Sequence, residues 1–204
     1  MEIIRDIDQG SDQWHLLRIG SIGGSSISKA TAVSKEAKQR TQLLYDMAGE
    51  IISGKKKEHF TNQNMLNGTE FENEARLYYS LVTGTEVETI AMIKDGPHKH
   101  VSPDGLCDSD GIIEIKNVIP STFVSFIDKP SIPTAYRKQM QWGMARSRRT
   151  WCDYVLYCKD FVGQSNPMII TRVARDEKEI RELEDGADKF INDLLALVER
   201  VRGR

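Results

Sequence analysis

The chain has 204 residues, 39% of them apolar and 28% charged, which fits one soluble domain large enough to bury a core. Its 28 basic and 30 acidic side chains leave a formal charge of −2, so attraction to an anionic polymer has to come from local clustering. Cys107, Cys152 and Cys158 lack CxxC spacing, which argues against a disulfide framework or cysteine cluster, and no apolar run approaches the ~18 residues of a membrane span. The first residues lack the basic-then-apolar plan of a signal peptide, and a cytoplasmic protein is expected.

In chain order, Ser11 is a candidate N-cap for a short helix through Ile19, stopped at Gly20. A second short helix is expected from near Ser25. A longer one, about Lys35 to Ile52, carries Leu43, Leu44, Met47 and Ile51 at helical spacing. Another, about Asn64 to Val82, puts Phe71, Ala75, Tyr78 and Val82 on one stripe. Strands follow at Glu86–Ile93, Val101–Cys107 and Ile112–Asn117, then two helical stretches after Pro120, the better one from Thr134 to Ser147. Trp151–Cys158 and Met168–Val173 read as strands. An amphipathic helix from Glu177 to Val201 buries Ile180, Leu183, Ala187, Phe190, Ile191, Leu194 and Leu195. The order predicts a single α/β domain over 1–204 with one mixed central sheet of about five strands flanked by helices. Within it, residues 1–85 are mainly helical, 86–175 hold the sheet, and 177–201 close the chain.

The most informative segment is Ser102-Pro103-Asp104-Gly105-Leu106-Cys107, followed by Gly111-Ile112-Ile113-Glu114-Ile115-Lys116-Asn117. Strand residues alternate faces, so Glu114 and Lys116 share one and Ile113 and Ile115 take the other, into the core. A three-residue loop Ser109-Asp110-Gly111, with Gly111 left-handed, places Leu106 opposite Glu114 and Asp104 opposite Lys116. A two-residue loop flips Asp104 to the other face. Two converging carboxylates repel unless a cation neutralises them, and hard oxygen donors suit Mg²⁺ or Mn²⁺. A lysine beside them can orient a metal-activated water and steady phosphorane charge. Taken alone, the same spacing also fits a half-exposed hairpin with ordinary surface pairs.

With Pro103-Asp104 and Glu114-Ile115-Lys116 as its signature, the chain resembles the PD-(D/E)xK nuclease superfamily. Four blocks in order narrow the resemblance to the phage lambda exonuclease family, also called YqaJ-type viral recombinases. They are the run from Gln9 to Gly20, Gly68-Thr69-Glu70-Phe71-Glu72-Asn73-Glu74-Ala75-Arg76, Ser102 to Cys107, and Tyr136-Arg137-Lys138-Gln139-Met140-Gln141. The resemblance implies a restriction-endonuclease-like fold and a metal-dependent exonuclease that digests linear duplex DNA 5′→3′. It further implies a 3′ single strand left for an annealing protein, a homotrimeric ring, and a phage or prophage protein in a bacterial host. Asp104, Glu114 and the carbonyl of Ile115 become the expected ligands of Mg²⁺, with Mn²⁺ as its substitute. Glu72 is the third acidic group, for a second ion, and Lys116 positions or activates the attacking water.

Trp14 and Arg18 lie four apart on one helical face. Either the arginine stacks on an anchoring tryptophan, or Arg18 clamps a phosphate beside Trp14 as an apolar platform. The resemblance assigns Arg18 to the 5′-phosphate and Ser25 to a phosphate, and adds Ser102, Tyr136, Arg137 and Gln139 to the DNA-binding set. The Gly20–Ser26 loop lacks a P-loop ending, so nucleoside triphosphates are not indicated. Lys129, Arg137, Lys138, Arg146, Arg148 and Arg149 form an acid-free run read as a DNA track, and the acidic helix from Ala174 is expected to face away from DNA or carry a partner contact. Lys55-Lys56-Lys57 is left unassigned. An iron–sulfur exonuclease is disfavoured because a cluster needs four thiolates. A site-specific endonuclease and a non-catalytic DNA-end scaffold stay open as alternatives.

Overall fold

The computed structural model describes residues 1–33, 37–57 and 63–204, and their side chains except at 37 and 63–70. The start of the third expected helix at Lys35 and the side chains of Gly68, Thr69 and Glu70 lie outside the described residues.

Glu2–Ile4 (β1), Met92–Lys94 (β3) and His100–Val101 (β4) make a small antiparallel sheet of order β1-β3-β4. The main sheet has five strands: Val87–Glu88 (β2), Gly105–Cys107 (β5), Gly111–Asn117 (β6), Trp151–Tyr157 (β7) and Met168–Ala174 (β8). Their spatial order is β2-β5-β6-β7-β8, parallel only between β6 and β7. That parallel step needs a crossover, supplied by the helices Pro120–Asp128 (α5) and Thr134–Ser147 (α6).

Two of the expected strands divide between the sheets. Pro103 has no N–H to donate, so the ladder breaks between β4 and β5. Between β2 and β3, the carbonyls of Ile90 and Ala91 are taken by the side chains of Gln9 and Trp14 instead of a strand partner. The strand β1 was not expected from the sequence; three residues are too few to show an alternating pattern.

Asp12–Leu17 (α1) starts at Ser11, whose hydroxyl accepts from the Trp14 N–H at 3.3 Å. Gly24–Ala30 (α2), Ala37–Ser53 (α3), Gln63–Thr83 (α4) and Glu177–Arg202 (α7) complete the helices. Both faces of the main sheet are covered. Leu106, Ile112, Tyr154 and Leu156 join the larger core beneath α2, α6 and α7, whereas Cys107, Ile113, Ile115 and Val155 pack with Ala75 and Tyr79 of α4. Each such aliphatic or aromatic side chain removed from water contributes ~1.5–3 kcal/mol.

Two stripes are rotated from expectation. Among the described side chains of α4 the buried ones are Ala75 and Tyr79, while Val82 is exposed. Glu72 therefore lies three residues before Ala75 on the buried stripe itself, not beside it, and the helix points it under the sheet edge. On α7 Leu195 is exposed, and Leu197 and Val198 extend the buried face instead. The acidic α7 does not stand apart from the basic run: Glu179 binds Arg137 and Glu184 binds Arg146, which is also held by Asp95. The acid-free run is thus partly neutralised by its own fold, a long-range pairing no local charge count contains.

Candidate active site

The site grows from the β5–β6 hairpin. Cα partners are Gly105 with Ile113, Leu106 with Ile112, and Cys107 with Gly111, so Asp108-Ser109-Asp110 forms the three-residue loop. This corrects the expected register: continued by one position, it sets Asp104 across from Glu114 rather than Lys116. Asp108, at φ 45°, takes the left-handed position assigned to Gly111. Gly111 is required for another reason: a Cβ there would lie 2.1 Å from the Trp151 ring. Because the shift preserves parity, Asp104, Glu114 and Lys116 still share one face. That face is the one toward the larger core, and the site sits where its helices leave the sheet's end open.

Asp104 Oδ2 accepts the Ile115 N–H at 2.6 Å. Lys116 Nζ donates to Glu114 Oε1 at 2.6 Å, and Gln139 Nε2, from α6, donates to the same oxygen at 2.7 Å. Tyr136, one turn before Gln139, lies under the ammonium with its ring centroid 4.7 Å from Nζ. From α4, Arg76 donates to Glu72 Oε1 at 2.6 Å and to the Asp104 backbone carbonyl at 2.8 Å, tying the third carboxylate to the hairpin. The Glu72–Arg76 pair, four residues apart on α4, is partly buried and docks Glu72 at the site.

The electrostatics are those of crowded acids. Removal from water, then the charges of Glu114 and Glu72, push the Asp104 carboxyl well above the usual range. Burial and Glu114 likewise raise Glu72, with Arg76 and Lys116 opposing. Burial works to lower Lys116, but Glu114 and Asp104 outweigh it and hold the ammonium above its ordinary value. Lys116 is protonated at neutral pH.

This donor set fits a hard divalent cation. All donors are oxygens, and Asp104, Glu114 and Glu72 each spend one carboxylate oxygen on a protein hydrogen bond. Among the described residues no three His, Cys, Asp or Glu side chains are grouped so as to hold a metal ion by themselves, so the remaining ligands would have to be backbone carbonyl and water. An open set suits Mg²⁺, which takes one or two carboxylates and keeps several waters. The residues that could hold it are Asp104, Glu114 and the Ile115 carbonyl, with Glu72 beside them.

A cleft of about 480 Å³ opens at this edge, lined by Trp14, Glu72, Asn73, Arg76, Ala91 and Asp104 among others. A larger cavity of about 680 Å³ lies between α2, α6 and α7 and contains none of the four acid and lysine groups. Chemistry, not volume, marks the site. Trp14 Nε1 donates to the Ala91 carbonyl at 3.1 Å and to Ser102 Oγ at 3.2 Å, two residues before Asp104. Arg18 stacks on Trp14 with Cζ 3.8 Å from the ring centroid.

Of the residues singled out from sequence, Asp104, Glu114, Ile115, Lys116, Glu72, Tyr136 and Gln139 come together, and Trp14, Ser102 and Arg18 adjoin them. The first turn of α2 abuts Gln139, since a Cβ on Gly24 would lie 3.1 Å from its Cγ, and Ser25 is exposed beside it. Arg137 turns the other way, its Nε 2.8 Å from Glu179 Oε1. Arg76 and His100 were not singled out. Arg76 stands inside a recognised block, which was a usable signal; His100 had none. Lys56 pairs with Glu50 and Lys57 with Asp46, which ties that lysine run to α3.

A mixed sheet that brings an aspartate, a glutamate and a lysine to one open end, with a helix glutamate beneath, is the plan of a PD-(D/E)xK nuclease. Residues 13–150 match the YqaJ-like viral recombinase domain, and the chain belongs to that family. The fold is similar to an alkaline exonuclease (LHK-Exo) from Laribacter hongkongensis, at 28% identity and a TM-score of 0.86 over 94% of this chain and 96% of that one. The same enzyme solved in complex with dAMP matches equally. A phage related exonuclease from Haemophilus somnus 129PT shares the fold at 15% identity and a TM-score of 0.70, covering 89% of this chain and 96% of its own. No curated protein matches the chain.

Proposed function

We propose that this chain is a metal-dependent exonuclease that degrades linear double-stranded DNA 5′→3′ and leaves a 3′ single strand for recombination by annealing. The observation that carries this reading is the joint placement of Asp104, Glu114 and Lys116 on one face, with Lys116 Nζ 2.6 Å from Glu114 Oε1. Membership of a viral recombinase family and the likeness to an alkaline exonuclease support it. That relative binds dAMP, a mononucleotide of the kind such digestion releases.

Asp104, Glu114 and the Ile115 carbonyl would hold Mg²⁺, or Mn²⁺ in its place, and Glu72 would serve a second ion; the metal would supply Lewis-acid charge and make water more acidic. The chain's own groups do the rest. Gln139 and Lys116 fix the Glu114 carboxylate through Oε1, and the Ile115 N–H fixes Asp104. Lys116 orients the attacking water and places its positive charge where phosphorane charge develops. Trp14 offers a flat apolar wall beside the terminal nucleotide, and Arg18 and Ser25 take its 5′-phosphate. Ser102 and Tyr136 line the approach to the scissile bond, and Arg137 serves DNA on release from Glu179. A homotrimeric ring around the duplex and hand-over of the 3′-ended strand to an annealing protein belong to the same reading, on the strength of the family resemblance.

The test is digestion of linear duplex DNA labelled separately at each strand end, with Mg²⁺ or EDTA, beside a closed circle. The expected result is metal-dependent loss from 5′ ends, survival of the 3′-ended strands and an intact circle. Cutting of the circle overturns the exonuclease in favour of an endonuclease, and no cutting with any metal overturns catalysis.

A further inference from the structure

Behind Trp14 runs a chain of polar groups that the carboxylate site does not use. Arg18 Nε donates to His100 Nε2 at 3.0 Å, and the other ring nitrogen, Nδ1, lies 2.8 Å from Ser21 Oγ. With Arg18 donating to Nε2, the imidazole proton sits on Nδ1 and goes to the Ser21 hydroxyl. His100 is 2% exposed and Ser21 5%. The ring is mounted firmly: the His100 N–H donates to the Ile22 carbonyl at 3.0 Å, and its own carbonyl accepts from Trp142 Nε1 at 2.9 Å. Gly23 makes room for it, since a Cβ there would sit 2.5 Å from Nε2.

A structural salt bridge does not explain this arrangement. Among the described residues Arg18 meets no carboxylate within ion-pair distance. Its closest acidic influence, Glu50, is already held by Lys56 Nζ at 2.7 Å and the Lys57 N–H at 3.1 Å. Burial, opposed by Glu50, brings the Arg18 pKa down to about 10, so the cation is desolvated without a full counter-charge. A partly buried guanidinium stacked on one side, held at Nε, and with no hydrogen-bond partner for its two terminal nitrogens among the described residues is prepared for a bidentate anion. Burial, then the charges of Arg18, Lys56 and Lys94, hold the His100 pKa well below the ordinary value, which keeps the ring neutral and Nε2 an acceptor.

We propose that His100, oriented by Ser21 and admitted by Gly23, is the positioning residue that aims Arg18 at a terminal 5′-phosphate and so sets end preference. The inference rests on the reading of Arg18 as the 5′-phosphate receptor. It differs from an ordinary core histidine because the acceptor at Nε2, not the ring's bulk, carries the effect.

The experiment is equilibrium binding of the full chain to linear duplexes bearing a 5′-phosphate or a 5′-hydroxyl, in EDTA, so that no catalysis is required. His100→Leu lowers the phosphate-over-hydroxyl preference by about tenfold, the scale of losing a hydrogen bond to a charged group. His100→Gln, which can return an acceptor near Nε2, keeps most of it. Ser21→Ala, a milder change for a fold that His100→Leu disrupts, lowers the preference by a smaller factor with the ring retained. Unchanged preference in both His100→Leu and Ser21→Ala overturns the proposal, as does a loss in His100→Gln as large as in His100→Leu. A wild-type chain that digests DNA but binds both ends equally overturns it while leaving the nuclease reading intact.

Discussion

Asp104 and Asp153 are the same side chain on the same sheet, both packed in protein, yet they do opposite things. Asp153 points to the α4 face, where Tyr79 donates to Oδ2 at 2.7 Å and Arg172 donates to Oδ1 and Oδ2 at 2.8 and 2.9 Å. Its charge is met by a guanidinium that also stacks on Trp151. Asp104 points to the opposite face, where one backbone N–H is its donor and two further carboxylates face it. Burial alone therefore does not mark a functional acid. The marker is a charge the protein has gathered and left unbalanced, which is how a cation site stores its affinity.

The largest expected effect tests whether the unbalanced face is the catalytic one. Lys116→Ala and Glu114→Ala each reduce digestion of a linear duplex by about 10³-fold or more, while duplex-end binding in EDTA persists. Retained digestion in a clean preparation removes those residues from the mechanism. On the balanced face, Asp153→Ala leaves Tyr79 and Arg172 without their acceptor and destabilises the fold by about 2 kcal/mol, discounted because Arg172 is 55% exposed. Chemical denaturation measures it, and a loss no larger than for an exposed aspartate collapses the contrast. Asp104→Asn should act in the other direction. It keeps an acceptor for the Ile115 N–H and removes repulsion, so the metal-free protein gains about 1 kcal/mol and a higher melting temperature as activity is lost. A lower melting temperature in EDTA means the acids are not in conflict. The smallest effect concerns pH. Since His100 is kept neutral, preference for a 5′-phosphate stays flat between about pH 8 and 6.5, where an ordinary histidine begins to charge. A steep fall within that window places the histidine's titration higher than its surroundings dictate.

Much of the fold was legible because it is periodic. The 3.6-residue spacing located α6 at Thr134–Ser147 and α7 from Glu177 onward, and Ser11 announced α1 through its capping hydroxyl. Errors fell where local pattern and tertiary pairing compete. Glu86–Ile93 has one continuous β-rich composition, but its two ends belong to different sheets, because Gln9 and Trp14 capture the carbonyls between them. The site shows the same division. Asp104, Glu114 and Lys116 were readable from a short motif, whereas His100 was not. An imidazole's role depends on which partners reach its two nitrogens, and here they come from residues 82 and 79 positions away.

What the amino-acid sequence determined by itself was local and repetitive. It indicated most of the stretches that curl or extend, and, given a three-residue loop, that the three polar groups of the hairpin share a face, a parity the observed register keeps. Tertiary structure alone decided which face that was, that Glu72 joins it through Arg76, and that α7 pairs its acids with the basic helix. The physical reason is range: backbone periodicity acts over a few residues, while desolvation and charge pairing act between whatever groups the packed chain brings into contact.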